Sequence, residues 1–355
     1  MSTSSTQKVA VLGASGYGGV EFLRLAAGHP YLEVSYCAGH TSAGEKMGDI
    51  YPHLPPPLCD IVLGELDVQR AARDADILVF CLPHTAAMEM MVAGYEMGKM
   101  VVDFSADFRL KDVAEYEAYY DVTHTQSQYL ETAVYGLPEL HRQEIAGSRF
   151  IAVPGCYPTA VILALAPAVK HGIISTDMII ADSKSGVSGA GRKTSLTTHF
   201  SEVTESIAAY SIAKHRHTPE MDQELGALVP EGRPEPQVTF VPHLVPQIRG
   251  ILSTCYARLT ESITAAEIQA LYADFYAGEP FVYVLPPGKL PATKHVTGTN
   301  RCDIGIAVDE RTNRLVAVSA IDNLIKGLAG AALQCINLAC GWDETTGLPM
   351  IANWP

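Results

Sequence analysis

With 355 residues, 48% of them hydrophobic and 18% charged, the chain can bury a sizeable core, and its length as a prior divides it into two domains. Its 25 basic against 39 acidic side chains leave a formal net charge of −14. That charge repels nucleic acid and anionic membrane surfaces, so an anionic partner must be a small molecule held by a few local Arg side chains and backbone N–H groups. The longest apolar run, Ala160 to Val169, is about half of the ~20 residues that a bilayer span needs. The polar start, Met1 to Gln7, has no signal-peptide pattern, so the protein is expected to be soluble and cytoplasmic.

In chain order, Lys8 to Leu12 reads as a short apolar strand, followed by the turn Gly13-Ala14-Ser15-Gly16-Tyr17-Gly18-Gly19 and the helical pattern Val20, Phe22, Leu23, Leu25. Further strands at Leu32 to Cys37, Asp76 to Leu82 and Met100 to Phe104 alternate with helical segments such as Ala86 to Gly98. This alternation predicts a doubly wound, parallel Rossmann-type sheet with ligands beyond the carboxyl ends of its strands. After about Phe150 come Val/Ile/Thr-rich strands at Met178 to Ala181, Gln237 to Val241, Gly250 to Leu259, Phe281 to Leu285, Cys302 to Asp309 and Leu315 to Ile321. They predict a second α+β domain with a mixed or antiparallel sheet. The last helix, Asn323 to Cys340, is almost wholly small and apolar and must be buried on several sides, which would return it to the first domain. The expected division is 1–155 with 323–355, and 156–322. The Pro-rich stretches 52–57, 230–236 and 286–291 read as rigid loops.

A glycine turn between strand and helix brings backbone N–H groups and a helix N-terminus to a phosphate. Gly13, Gly16 and Gly19 provide it, in the spacing G-x-x-G-x-x-G rather than G-x-G-x-x-G. The second strand runs into Ala38-Gly39-His40-Thr41-Ser42-Ala43-Gly44, where no carboxylate stands to take a ribose 2′-hydroxyl. The hydroxyls of Thr41 and Ser42 suit a 2′-phosphate, favouring NADP(H) over NAD.

Eight cysteines spread singly, without C-x-x-C pairs, read as neither a disulfide framework nor a metal site, and most are expected to pack as small hydrophobes. Cys156 is different. In Val153-Pro154-Gly155-Cys156-Tyr157-Pro158-Thr159 it precedes an apolar helix, and a helix N-terminus stabilises a thiolate. A thiolate nucleophile needs a proton partner, and His215, His217, His243 and His84 are the histidines in suggestive surroundings.

Taken together, these stretches resemble the N-acetyl-γ-glutamyl-phosphate reductases along nearly the whole chain. The resemblance runs through the 13–19 glycine turn, Leu82-Pro-His84, Val102-Asp-Phe-Ser-Ala-Asp-Phe-Arg109, Tyr135-Gly-Leu-Pro-Glu139, Pro154-Gly-Cys-Tyr-Pro-Thr159, Ser185-Gly-Val-Ser-Gly-Ala-Gly-Arg192, His215-Arg-His217-Thr-Pro-Glu220, Arg249-Gly250, Thr297-Gly-Thr-Asn300 and Asp322-Asn-Leu-Ile-Lys-Gly327. It implies reduction of an acyl phosphate by NADPH, with Cys156 as nucleophile and His217 as acid/base. It also implies NADP(H) on the turn Gly13, Ser15, Gly16, Tyr17, Gly18 and Gly19, with inorganic phosphate released and a homo-oligomer built across the second domain. Arg109, Arg192 and His215 are the candidates for phosphate or substrate carboxylate, and Asn323 for the nicotinamide carboxamide, with a helix N-cap as the alternative for Asp322 or Asn323. Backbone N–H groups near Gly155 and Cys156 are the expected oxyanion donors. The alternatives are another phosphorylating semialdehyde dehydrogenase, acting on an aspartyl or carrier-bound aminoadipyl substrate, and a non-catalytic NADP-binding sensor.

Overall fold

A computed structural model describes residues 6–354 and separates them into two compact units. One runs to Pro154 and takes in Leu328–Leu348, and the other comprises Gly155–Gly327 and the chain from Pro349. The expected boundaries at 155/156 and 322/323 thus move by a few residues, and the chain's last residues join the second unit. Of the segment Met1 to Gln7, residues 1–5 lie outside the described residues. Among the described residues no helix is long and apolar enough to cross a membrane.

The first unit is built on six strands, β1 (Gln7–Leu12), β2 (Leu32–Ala38), β3 (Ile77–Phe80), β4 (Met100–Asp103), β5 (Val134–Tyr135) and β6 (Phe150–Ala152). They pair entirely in parallel in the order β2-β1-β3-β4-β6-β5. The central strands are buried on both faces, which is why Ile77-Leu78-Val79-Phe80 reads as a continuous apolar run rather than an alternation. The chain leaves β1 for β2 on one side and reaches β3 on the other, so the topological switch point lies between β1 and β3. The glycine turn follows β1 there, where such sheets bind ligands.

The second unit holds a seven-stranded mixed sheet of β7 (Ile174–Ser185), β8 (Ala208–Ala209), β9 (Val238–Leu244), β10 (Ile251–Leu259), β11 (Val282–Val284), β12 (Cys302–Asp309) and β13 (Arg314–Ile321). The order is β11-β12-β13-β10-β7-β9-β8, with β7/β9 and β11/β12 parallel and the other pairs antiparallel. Along β10 the side chains of Ile251, Ser253, Cys255, Ala257 and Leu259 are buried while their neighbours lie more open, the period-two signature of a sheet covered on one face. The cover is the helix Cys156–Lys170, buried at every residue from Tyr157 to Val169. Ser319 Oγ donates to the Ala160 carbonyl and Tyr272 Oη to the Ala164 carbonyl, each at 2.7 Å, tying sheet and neighbouring helix to it.

The segment expected as one helix from Asn323 is interrupted. Asp322 caps it, accepting the N–H groups of Leu324 and Ile325 at 2.9 and 3.2 Å, a π turn spans Ile325–Ala329, and the α-helix runs only over Gly330–Ala339. That helix is buried from Gly330 to Asn337 and belongs to the first unit, as its composition requires. The cap is therefore Asp322, not Asn323. Its second carboxylate oxygen accepts the Gly298 N–H at 2.8 Å and Arg249 Nη1 at 3.2 Å, with Asp322 itself fully buried. Asp322→Ala leaves these donors unmatched, and urea unfolding should show a loss of about 2–4 kcal/mol. A loss below about 0.5 kcal/mol, the size typical of a surface substitution, would contradict this account.

Candidate active site

In the first unit the glycines of the turn have different jobs. Gly13 has φ +94°, and a Cβ there would lie 2.4 Å from the Cys81 carbonyl oxygen, so only glycine closes β1 against the end of β3. Gly19 lets the helix Tyr17–Ala27 sit on the turn, its ideal Cβ falling 2.5 Å from the Gly13 carbonyl oxygen. At Gly18 a Cβ would press on Leu328, 2.9 Å away. Gly16 alone of these would take a Cβ without a clash, its nearest neighbour being the Gly13 carbonyl oxygen at 3.6 Å. It is also the N-cap of Tyr17–Ala27, with no side-chain cap and no acidic residue in the first turn. A helix N-terminus that starts at a glycine and has no side-chain cap fits an anionic phosphate. Ser42 Oγ donates to Ser15 Oγ at 2.7 Å and Tyr51 Oη to the Ser15 carbonyl at 3.0 Å, which fastens the loop after β2 to the turn. Thr41 stands exposed on that loop and Ser42 is buried. The turn, Ser15, Thr41 and Ser42 thus come together in one place, and the segment Gly39–Gly44 contributes no carboxylate to it.

In the second unit Cys156 is the first residue of the Cys156–Lys170 helix, half-buried, with Gly155 as N-cap. Two glycines bracket it. A Cβ on Gly327 would lie 2.8 Å from Cys156 Cβ, and one on Gly155 would lie 2.7 Å from His217 Nε2. The His217 ring therefore sits against the residue before the thiol. Sequence reasoning had missed the group that fixes this arrangement, Glu220. Three residues after His217 on the same helix and almost fully buried, it accepts the Gly155 N–H at 2.6 Å. Its place in the His-Arg-His-Thr-Pro-Glu segment was the available signal, since residues i and i+3 share a helix face. The Gly155 N–H is thereby engaged, so the expected oxyanion donor at Gly155 is withdrawn, and any such role falls to the helix start beyond it.

The other histidines separate clearly. His215 packs edge-on against Tyr157 and Phe240, and burial, then the nearby Arg216 charge, pushes its pKa down to about 4. Its Nδ1 accepts the His217 N–H at 3.1 Å, so its proton resides on Nε2 and the ring is a neutral donor, not a cation. His243 Nδ1 lies 3.1 Å from Asp182 Oδ1, and the His243 carbonyl accepts Tyr157 Oη at 3.2 Å. Tyr210 Oη donates to Tyr157 Oη at 3.2 Å, and burial raises both phenols, Tyr210 to about 12. His84 lies in the first unit, accepting the Ala106 N–H.

Two residues expected as ligands make internal hydrogen bonds. Arg109 is 3% exposed, and its Nε and Nη2 donate to the carbonyls of Val153 at 2.7 Å and Phe104 at 3.1 Å. Backbone of the first unit thus engages two of its guanidinium nitrogens. Asn323 accepts the Gly250 N–H at 2.8 Å and donates to Ser188 Oγ at 3.0 Å, so both ends of its amide join loops of the second unit. Arg192, by contrast, stands exposed at the end of the Ser185 to Arg192 loop. Elsewhere burial raises the thiols of Cys37 and Cys255 to about 12 and Cys340 to about 11, as expected of cysteines packed as hydrophobes.

Residues 8–148 match the family described as semialdehyde dehydrogenase, NAD binding domain, and residues 156–323 match semialdehyde dehydrogenase, dimerisation domain. The N-acetyl-gamma-glutamyl-phosphate reductase of Pelotomaculum thermopropionicum is 49% identical over 341 residues, covering 96% of this chain and 97% of that one. That of Geobacter sulfurreducens is 50% identical over 349 residues, covering 98% and 99%. Among solved structures, aspartate semialdehyde dehydrogenase with NADP from Candida albicans has a TM-score of 0.71 at 19% identity, covering 95% of this chain and 99% of that one. Aspartate semialdehyde dehydrogenase II from Vibrio cholerae has a TM-score of 0.70 at 16% identity, covering 94% and 98%. At such identities these two speak to the fold alone. The glycine turn thus lies in a nicotinamide-dinucleotide-binding domain, and Cys156 opens the dimerisation domain of an oxidoreductase. The chain belongs to the N-acetyl-γ-glutamyl-phosphate reductases, within the semialdehyde dehydrogenase family.

Proposed function

We propose that the protein reduces N-acetyl-γ-glutamyl phosphate to N-acetylglutamate 5-semialdehyde with NADPH, through a thioester on Cys156. The observation that carries this reading is the half-buried thiol at the first position of a buried helix, with the His217 ring packed against the preceding glycine. The helix N-terminus stabilises the thiolate, which attacks the γ-acyl carbon, forming a C–S bond as the C–O bond to phosphate breaks. Inorganic phosphate leaves with that electron pair. When bound, NADPH supplies hydride to the thioester carbonyl carbon. His217 gives its proton to the carbonyl oxygen and recovers it as the C–S bond breaks, releasing aldehyde and thiolate.

Gly13, Ser15, Gly16, Tyr17, Gly18 and Gly19 hold the dinucleotide, with Thr41 and Ser42 at its 2′-phosphate, in this reading. Arg192 binds the leaving phosphate or the substrate carboxylate, His215 assists as a neutral donor, and Asn323 acts indirectly by tying its loops. The open face of the seven-stranded sheet, with Met178, Ile180 and Tyr256 exposed, is where a second copy would pack in a homo-oligomer.

Four measurements test the reading. Wild-type enzyme mixed with the acyl phosphate and no NADPH should show by mass spectrometry an acyl adduct on the Cys156 peptide, lost when NADPH is added. Cys156→Ser should abolish turnover while retaining NADPH binding. An adduct on another cysteine, or turnover by the Ser variant, would falsify the thioester route. For His217→Asn, kcat should fall about 10²-fold or more with NADPH affinity unchanged, and near-normal turnover would remove His217 from the mechanism. Steady-state kinetics should give a higher kcat/KM with NADP than with NAD, and parity between the two would count against the assignment of Thr41 and Ser42.

A further inference from the structure

Two loops at the carboxyl edge of the parallel sheet are fastened to one another. One, from Leu82 to Ala87, follows β3, and the other, from Phe104 to Leu110, follows β4. The Thr85 N–H donates to the two Asp107 carboxylate oxygens at 2.8 and 3.0 Å, and the Ala106 N–H donates back to His84 Nδ1 at 2.9 Å. Aromatic rings close the circuit. His84 meets Tyr120 edge-on at 5.6 Å, Tyr120 stacks on Tyr116 at 4.6 Å, and Tyr116 Oη donates to Asp107 Oδ1 at 2.7 Å.

The clamp holds something that would not hold itself. Thr85 is exposed, yet it has φ +67°, a strained conformation for a β-branched residue that persists only where its surroundings over-determine it. Asp107, fully buried, is the fixed end. Both loops also bear on the glycine turn: a Cβ on Gly13 would meet Cys81 and Leu82, and one on Gly18 would lie 3.4 Å from Phe104 Cδ2. This is the β1/β3 switch point, where the sheet's topology puts a dinucleotide.

We propose that His84 and Asp107 are positioning residues for the dinucleotide, holding the loops after β3 and β4 in the arrangement that borders the glycine turn. The proposal rests on the reading that this turn holds NADP(H). Without the clamp the exposed turn samples other conformations, and binding must re-order it. His84 is the residue to change, because it is half-buried and lies on a loop rather than in a strand.

The test compares His84→Ala, His84→Asn and wild-type enzyme by titration of NADPH fluorescence without acyl phosphate, by thermal unfolding and by steady-state kinetics. His84→Ala should raise the Kd and KM for NADPH roughly tenfold while kcat and Tm change little. His84→Asn, whose Oδ1 can accept the Ala106 N–H in place of Nδ1, should return Kd to within about threefold of wild type. An unchanged Kd in the Ala variant, a lowered Tm with unchanged Kd, or failure of Asn to restore binding would each overturn the proposal. Wild-type enzyme that does not bind NADPH would overturn the cofactor assignment itself, and the role of the clamp with it.

Discussion

The position of the thiol depends on the burial of a single helix. From Tyr157 to Val169 the Cys156–Lys170 helix has no exposed side, because the seven-stranded sheet and the helices Thr218–Gly226 and Ala265–Phe275 pack around it. Ser319 and Tyr272 grip carbonyl oxygens in its middle. A helix held this way cannot slide or turn, so the place of its first residue is set by core packing rather than by a loop. The glycines at 155 and 327 complete the arrangement by subtraction, since any side chain there would displace His217 or Cys156. Glu220 completes it by addition, joining the helix that carries His217 to the N-cap of the helix that carries the thiol.

The first unit solves a different problem with different means. A thiol must be held as a point, whereas a dinucleotide must be approached along its length by backbone. Its sheet therefore ends in a turn whose glycines bring β1, the end of β3 and a helix together more closely than Cβ atoms allow. Side chains act one layer back. Ser42 and Tyr51 fasten the loop after β2 to Ser15, and the buried carboxylate of Asp107 fastens the loop after β3. Buried Asp103, its pKa raised by burial and by the neighbouring Asp107, is held by the Ser105 N–H and hydroxyl at 2.6 and 2.9 Å. The Asp-Phe-Ser-Ala-Asp-Phe-Arg segment is thus a scaffold of internal acceptors and donors.

That segment shows why some assignments were legible in the sequence and others were not. Strand β12 was read to the residue, and β1, β2, β10 and β13 nearly so, because apolar pattern and turn residues act locally. Strands β5 and β6, of two and three residues, are too short to carry a pattern and exist only because a neighbouring strand pairs with them. The glycine turn and the helix-start cysteine were legible because their chemistry is local too. Arg109 was not. An arginine in such a segment reads as a binder of anions, and only the tertiary fold brings its guanidinium to the Val153 carbonyl forty-four positions away. Glu220 failed in the opposite direction, since its partner is backbone sixty-five residues distant. The break at the start of the last helix was hidden because Asp322 caps a π turn, Ile325–Ala329, whose residues apart from Gly327 are all compatible with ordinary helix.

The pair His215 and His217 carries the same logic into the chemistry. Two imidazoles whose centroids lie 4.8 Å apart would, if both were protonated, repel one another. Burial against Tyr157 and Phe240 keeps His215 neutral, and the His217 N–H occupies its Nδ1. With that acceptor engaged by backbone, His215 fixes the start of the Thr218–Gly226 helix instead of exchanging protons. The imidazole to which the proposed chemistry assigns the proton cycle, His217, has its backbone held by the ring beside it and its helix tied through Glu220 to the N-cap of the Cys156 helix.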